Sequence, residues 1–286
     1  MKIARLVSNS RCSDILIKDG VIEAIGSGLA HSAPANAECL DASGLIAIPG
    51  LINAHIHSPG NLLRGALDGL PLEIFMLYEV PPLAEEGNED LTYLRTTLGA
   101  IEMLKIGITS VIDDVYFVPR ATAPAIDAVM SAYRDSGMRA TVSLDQQTEV
   151  EYEKVPFLRD LLPLEVKSRM DNAPRQSPSE LMELYDHLIE TWHGAAQGRL
   201  RAAMSCSAPQ RVSLPYLKWL DDTSRTHNLP MICHVLESRT QRVLGDTKWG
   251  KSLVRYLSDH GVLSDRLQAI HAIWIDDQDI ALLPDR

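Results

Sequence analysis

Apolar residues fall along this chain in two rhythms. Before about residue 50 the apolar runs are short and crowded: IARLV, DILIK and VIEAIG, the last two joined by Asp19-Gly20, and then LIAIP after Ala42-Ser43-Gly44. Asp-Gly between apolar runs predicts a hairpin, because both residues tolerate the positive φ that a two-residue turn needs. From Pro49 onward, β-rich apolar runs alternate with longer stretches whose apolar residues return at helical spacing. That alternation predicts successive βα units around a parallel sheet.

Six strands are predicted there: LINAHIH from 51, ITSVIDD from 108, RATVSLD from 139, LRAAMSC from 200, LPMICHV from 229 and RLQAIHAIW from 266. Helices separate them, LTYLRTTLGAIEMLKIG, APAIDAVMSAYRDSG, PSELMELYDHLIETWHG and LPYLKWLDDTSRTHN, each closing on a Gly or Asn that suits a helix end. The proline-containing segment from Gln146 to Ser177 reads as a long loop with a short helix. Six βα units in a row favour a (β/α) barrel over a doubly wound sheet, and no GxGxxG or P-loop follows the first strand.

The strand ends carry the candidate chemistry. His55 and His57 stand two apart in the first strand, so both side chains leave the same face. Imidazole is the commonest protein ligand for zinc and serves iron well, so the pair suggests part of a metal site. His234 ends the fifth strand and His271 the sixth. Four of the nine histidines thus fall at strand carboxyl ends, where a barrel places its active site, while His31, His187, His193, His227 and His260 lie in predicted loops or helices. Glu237, three residues after His234 in HVLES, is placed to move a proton for a water at such a metal. Its other reading is an acid that favours the amino end of a helix beside Ser238.

Charge narrows the partner. A formal net charge of −11 would repel nucleic acid and anionic membranes over most of the surface, which leaves a small molecule. Cys12, Cys39, Cys206 and Cys233 form no CxxC pair, and reduced thiols in the cytoplasm fit that scatter. The amino terminus, MKIARLVSNSRCSD, has no continuous apolar core of a signal peptide, and no run approaches bilayer length, so neither export nor a membrane is expected.

Together, PGLINAHIH, Arg64-Gly65, Leu70 to Leu72, HVLES and Ile270 to Ala272 resemble the amidohydrolase superfamily. The nearer likeness is to its branch of cytosine deaminase-like, S-adenosylhomocysteine and methylthioadenosine deaminase-like and triazine hydrolase-like enzymes. The resemblance implies an α/β fold: a distorted (β/α)8, TIM-like barrel from residue 50 to 286, of which about six βα units are present, flanked by a small β-sandwich to which residues 1–49 contribute. It implies one divalent metal ion, zinc or iron, with His55, His57 and His234 as ligands, Glu237 as proton shuttle and His271 orienting water or substrate. The implied activity is hydrolysis of carbon–nitrogen bonds other than peptide bonds, foremost deamination of an amino-substituted heterocycle by metal-activated water. Dechlorination or N-dealkylation within the branch, or a truncated non-catalytic barrel that associates with a partner chain, are the alternatives. The HxE and PCxxC pattern of zinc deaminases that act on flipped bases is absent.

Two departures from the branch bear on function. The branch has an acidic metal ligand at the end of strand eight, whereas the sixth predicted strand is followed closely by Arg286, so a fragment of a longer enzyme is expected. Open strand edges would then leave a homo-oligomer open. Asp276, Asp277 and Asp279 lie in DDQDIALL, where helix capping and the helix dipole account for acids. After strand four the chain has CSAPQRVS, with Ser207 and Gln210 in the place of a histidine-containing HAPY-like run of nucleoside-type relatives, which favours another N-substituted heterocycle. Arg64 and Gln210 are candidate substrate contacts, and Arg64 is equally readable as a tether for its loop.

Overall fold

The computed structural model describes residues 2–8, 11–79, 87–154 and 158–283. Its contacts divide the chain into two units, Met1–Gly50 and Leu51–Arg286. In the first, β1 (Lys2–Ser8), β2 (Arg11–Lys18), β3 (Val21–Gly26) and β4 (Glu38–Ala42) form one sheet in the order β3-β2-β1-β4. β2 and β3 are the expected hairpin, with Asp19 and Gly20 at φ 51° and 78°, the left-handed pair of a tight turn. β1 runs antiparallel to β2 and parallel to β4.

The fourth strand is not where LIAIP predicts it. Gly44 at φ 79° and a Leu45 N–H that donates to Ala42 O at 3.0 Å turn the chain immediately after β4, so Ala42-Ser43-Gly44 ends a strand and does not start one. The strand is the more polar ECLDA, whose backbone pairs with β1, while Leu45, Ile46 and Ile48 stay exposed. Available ladder partners decided the assignment, and apolar composition did not.

The second unit is α/β with parallel sheets. β5 (Leu51–Ile56), β6 (Ile108–Val115), β7 (Arg139–Leu144) and β8 (Leu200–Ala202) pair in chain order, and β9 (Met204–Ser205), β10 (Met231–Val235) and β11 (Leu267–His271) form a second sheet in the order β11-β10-β9. Every one of these pairs is parallel. All six expected strands are present, and LRAAMSC is split into β8 and β9. Between the halves, Ala203 donates its N–H to Val142 O and Met204 donates to Pro230 O, both at 2.8 Å. One stretch of chain thus passes from its left neighbour to its right neighbour across a single residue.

The four expected helices are Glu89–Lys105, Ala123–Ser136, Pro178–Trp192 and Leu214–His227. Side chains of Asn88, Thr122 and Ser177 accept from the N–H groups of Leu91, Ala125 and Glu180, and Ser177 with Glu180 completes a capping box. Gly137 and Asn228, in left-handed backbone, end two of the helices. Ile126, Val129, Met130 and Tyr133 bury one face of the second helix, and Leu181, Tyr185, Leu188 and Trp192 one face of the third. They join the core built on β6, β7 and β10, where a fully buried large side chain contributes about 1.5–3 kcal/mol.

Three helices escape the apolar pattern: Leu72–Glu79, Arg239–Trp249 and Leu253–Asp259. In Arg239–Trp249 only Leu244 and Gly245 are buried, and a Cβ on Gly245 would lie 2.9 Å from Lys251 O. Glycine there lets the following turn close onto the helix, a contact that leaves no periodic signal. The segment from Gln146 to Ser177 holds more structure than expected, a 3-10 turn at Glu151–Lys154 and helices at Leu158–Leu161 and Leu164–Asp171. Among the described residues no helix is long and apolar enough to cross a membrane.

Candidate metal centre

β5 ends in Asn-Ala-His-Ile-His, and its alternation sends His55 and His57 to one side. His234 lies in the last turn of the ladder on β10, and His271 closes β11 in register with Val235. The parallel order brings all four to the same end of the sheets. His234 Nε2 lies 3.2 Å from His55 Nε2 and 3.2 Å from His57 Nε2.

The opposite ring nitrogens determine what those close approaches mean. His57 Nδ1 donates to Asp114 O at 2.6 Å, and His234 Nδ1 donates to Ser207 O at 2.8 Å. A carbonyl accepts only from N–H, so the proton of each neutral ring is on Nδ1 and each Nε2 presents a lone pair. Two lone pairs at 3.2 Å repel unless a cation lies between them. Tetrahedral zinc with nitrogen ligands at about 2.0–2.1 Å separates those nitrogens by about 3.3–3.4 Å, which matches each of these two pairs. His234 is shared by two groups whose ligand atoms all lie within 4.8 Å of one another, His55 with His234 and His271, and His57 with Asp145 and His234. Backbone carbonyls on the outer nitrogens are also the usual way in which metal-bound histidines are oriented.

Burial, then the three neighbouring imidazoles, lower His55 to about 3, and burial lowers His234 to about 4, so both rings are neutral and able to coordinate at neutral pH. Burial works against a charge on His57 as well, but the carboxylates of Asp145 and Asp114 raise it.

Beside the imidazoles, Glu237 Oε1 lies 3.2 Å from His271 Nε2. The helix-capping role belongs to Ser238, whose side chain accepts from Gln241 N–H, so the carboxylate of Glu237 is left for the site. Burial raises Glu237 above the usual carboxylate range and lowers His271. Left-handed backbone marks three strand exits at this end: Ser207 at φ 59°, Leu236 at 51° and His271 at 69°. Such strain persists only where surrounding contacts hold it, and it aims the next side chain sharply.

Three aspartates belong to the site that pattern reasoning passed over. Asp114 accepts from Ser143 Oγ at 2.7 Å and Ser205 Oγ at 3.0 Å. Asp145, one residue past β7, lies 3.8 Å from His57 Nδ1 and 3.6 Å from Arg211 Nη1. Two buried carboxyls so close do not both ionise readily. Burial and Asp145 raise Asp114 to about 7, whereas Asp145, despite its own burial, is held down to about 2 by Arg211, His234 and His57. Asp113 accepts from Ser58 N–H at 2.9 Å and Tyr133 O–H at 2.7 Å, tying the turn after β5 to the core. A signal did exist, since ITSVIDD and RATVSLD each end in aspartate at the strand end that carries function.

The remaining candidates differ in their surroundings. Arg64 is 58% exposed, pairs with Glu102 and donates to Asn61 O at 3.1 Å, so it tethers its loop. Gln210 is buried with an unpartnered Oε1, and Ser207 Oγ accepts from Arg211 at 2.6 Å. Asp276 caps the helix Asp277–Ile280, and Asp279 is buried against Arg242 and Ser252.

Comparison with known proteins identifies the family. The model of the amidohydrolase family matches residues 46–286. The 5-methylthioadenosine/S-adenosylhomocysteine deaminase of Pyrococcus furiosus is 27% identical over 271 residues, covering 95% of this chain and 57% of that protein. The 5'-deoxyadenosine deaminase of Methanocaldococcus jannaschii is 29% identical over 282 residues, covering 98% and 60%. The chain therefore spans three-fifths or less of the length of these relatives. Among solved structures, the zinc complex of atrazine chlorohydrolase from Arthrobacter aurescens TC1 superposes with a TM-score of 0.78 at 23% identity, over 99% of this chain and 63% of that one. An adenosine deaminase from Xanthomonas campestris with bound zinc gives 0.75 at 22%, over 98% and 60%. At these identities the structural matches establish a shared fold.

Proposed function

The chain belongs to the amidohydrolase family, and on that premise we propose that it is the metal-holding part of a hydrolase that deaminates an amino-substituted heterocycle. His55, His57 and His234 would hold one divalent ion, zinc or iron. Bound there, the ion supplies a Lewis acid that acidifies water and polarises the ring carbon under attack. Glu237 takes a proton from the attacking water and delivers it to the departing amino nitrogen, so that ammonia leaves and a carbonyl replaces the C–NH2 group. A carboxyl raised by burial is suited to both halves of that transfer. His271, 3.2 Å from Glu237, holds the carboxylate and orients water or substrate.

In this reading the six strands are the first six of a (β/α)8 barrel, and the mixed sheet of Met1–Gly50 is part of a small β-sandwich. Support comes from the unbroken parallel order and from Gln268 Nε2 on β11, which donates to Ala54 O on β5 at 3.0 Å and so brings the last strand toward the first. The reduced state of Cys39, Cys206 and Cys233 fits a cytoplasmic enzyme.

The observation that carries the reading is the approach of His55 Nε2 and His57 Nε2 to His234 Nε2, each at 3.2 Å, beside the Glu237–His271 contact. Glu237→Gln should keep the metal and lose about 10²–10⁴-fold in kcat. Wild-type turnover in that variant would remove Glu237 from the mechanism. A chloro or alkylamino leaving group at the same carbon would use the same residues, and a substrate screen separates those chemistries.

A further inference from the structure

Arg95, on the helix Glu89–Lys105, lines a cavity of about 380 Å³ together with Pro59, Glu79, Glu89, Tyr116 and Phe117. No carboxylate among the described residues neutralises it. Its Nε is sealed from solvent without an acceptor, and the ionisable groups that act on it are Tyr116 and Asp113. Asp113 is already engaged on both oxygens, by Ser58 N–H and by Tyr133 O–H. Of the two acids on the cavity wall, Glu79 accepts a hydrogen bond from Tyr116 O–H, and Glu89 is exposed in the first turn of the helix. Burial also pushes the guanidinium below its ordinary range, yet an arginine does not give up its proton at neutral pH. A half-buried cation without a counter-ion is costly, and such a group is retained where a ligand supplies the missing charge.

The cavity adjoins the metal centre. Pro59 stands two residues past His57, and the Tyr116 ring lies 5.9 Å from the His57 ring, centroid to centroid. Its volume is within the range of small-molecule sites, about 300–1,000 Å³, and suits one substituted ring. We propose that Arg95 is a specificity-determining residue that binds a carboxylate on the substrate, so that the preferred substrates are amino-heterocycles bearing a carboxylate substituent. A single guanidinium matches the planar, singly charged carboxylate, whereas a phosphate dianion would call for further donors. Arg120, the second arginine on the cavity wall, already has a partner and acts on Glu180, which leaves Arg95 as the cavity arginine available for this role among the described residues.

The amino group in this proposal rests on the deaminase reading; the carboxylate does not. The two separate in binding measurements on the metal-free full-length protein by calorimetry. The probes are two pairs, cytosine with 5-carboxycytosine and 2-aminopyrimidine with 2-aminopyrimidine-4-carboxylate. In at least one pair the wild type should bind the carboxylate at least about tenfold tighter, Arg95→Gln should bring the two within about twofold, and Arg95→Lys should keep part of the preference. Mass mapping after phenylglyoxal treatment of the wild type should show Arg95 protected by the carboxylated probe and not by its neutral partner, which holds even if Arg95→Gln does not fold. No preference in either pair, preference retained in Arg95→Gln, or no protection overturns the subsite. Carboxylate preference with no deamination of any probe by the zinc-loaded protein would leave the subsite standing and count against the deaminase reading.

Discussion

His55 and His234 bring the same atom to the same point from opposite kinds of surroundings. His234 sits on β10, buried at all five positions, with Nδ1 locked on Ser207 O. His55 sits on β5, where Leu51 and Ile52 are 52% and 71% exposed, and its own Nδ1 is sealed without a partner. One proposed ligand is thus oriented by the core, the other chiefly by the strand that carries it. Ligand geometry and structural support are separable here: equal distances at the centre do not imply equal contributions to the fold.

The largest expected effect tests that separation directly. His234→Ala and His55→Ala should each weaken metal binding by more than about 100-fold, beyond the loss typical of an outer hydrogen-bond partner, as read by metal content after dialysis. In the metal-free protein, urea unfolding should cost His234→Ala about 2–3 kcal/mol for the cavity and the lost hydrogen bond, and His55→Ala less than about 1 kcal/mol. Either change relieves the crowding of lone pairs, so the difference reports support alone. Equal losses of stability would break the comparison.

Arg211→Ala sharpens it on the buried side. Arg211 donates to Ser207, whose carbonyl holds His234, and it keeps Asp145 ionised in the interior. Removing it should cost about 2 kcal/mol at pH 7 by leaving that carboxylate without its cation. The pH dependence has a definite sign. Asp145 is held down to about 2 from 3.8, so it adds stability above pH 3.8 that is lost as pH falls from there toward 2. In Arg211→Ala this acid-linked loss should shrink, visible as a flatter plot of unfolding free energy against pH. The smallest effect is expected from Arg64→Ala on the exposed side, within about 0.5 kcal/mol in stability and without a change in KM. A raised KM would return Arg64 to the substrate.

Much of the fold was legible because periodicity and caps are local. The helices Ala123–Ser136 and Pro178–Trp192 and the Asp19-Gly20 hairpin announce themselves in a few neighbouring residues. The strand at Glu38–Ala42 and the helix Arg239–Trp249 did not, because a ladder partner and a close approach at Gly245 lie far along the chain or leave no apolar stripe. The candidate site divides in the same way. His55, His57, His234, Glu237 and His271 stand out as unusual residue types at predicted strand ends, whereas Asp114 and Asp145 share that strand-end position but only their burial sets them apart, and Arg95 looks like an ordinary surface charge until burial is known.

By itself, then, the sequence determined the alternation of strands and helices and the end of the sheets at which the histidines emerge, since strand direction and side-chain alternation follow from local pattern. Tertiary structure alone decided which nitrogen of His57 and of His234 faces the centre, which of two neighbouring aspartates carries the charge, and that Arg95 lacks a counter-ion among the described residues. Those outcomes depend on carbonyls, hydroxyls and burial contributed by residues distant in sequence, and no local pattern encodes the distance between them.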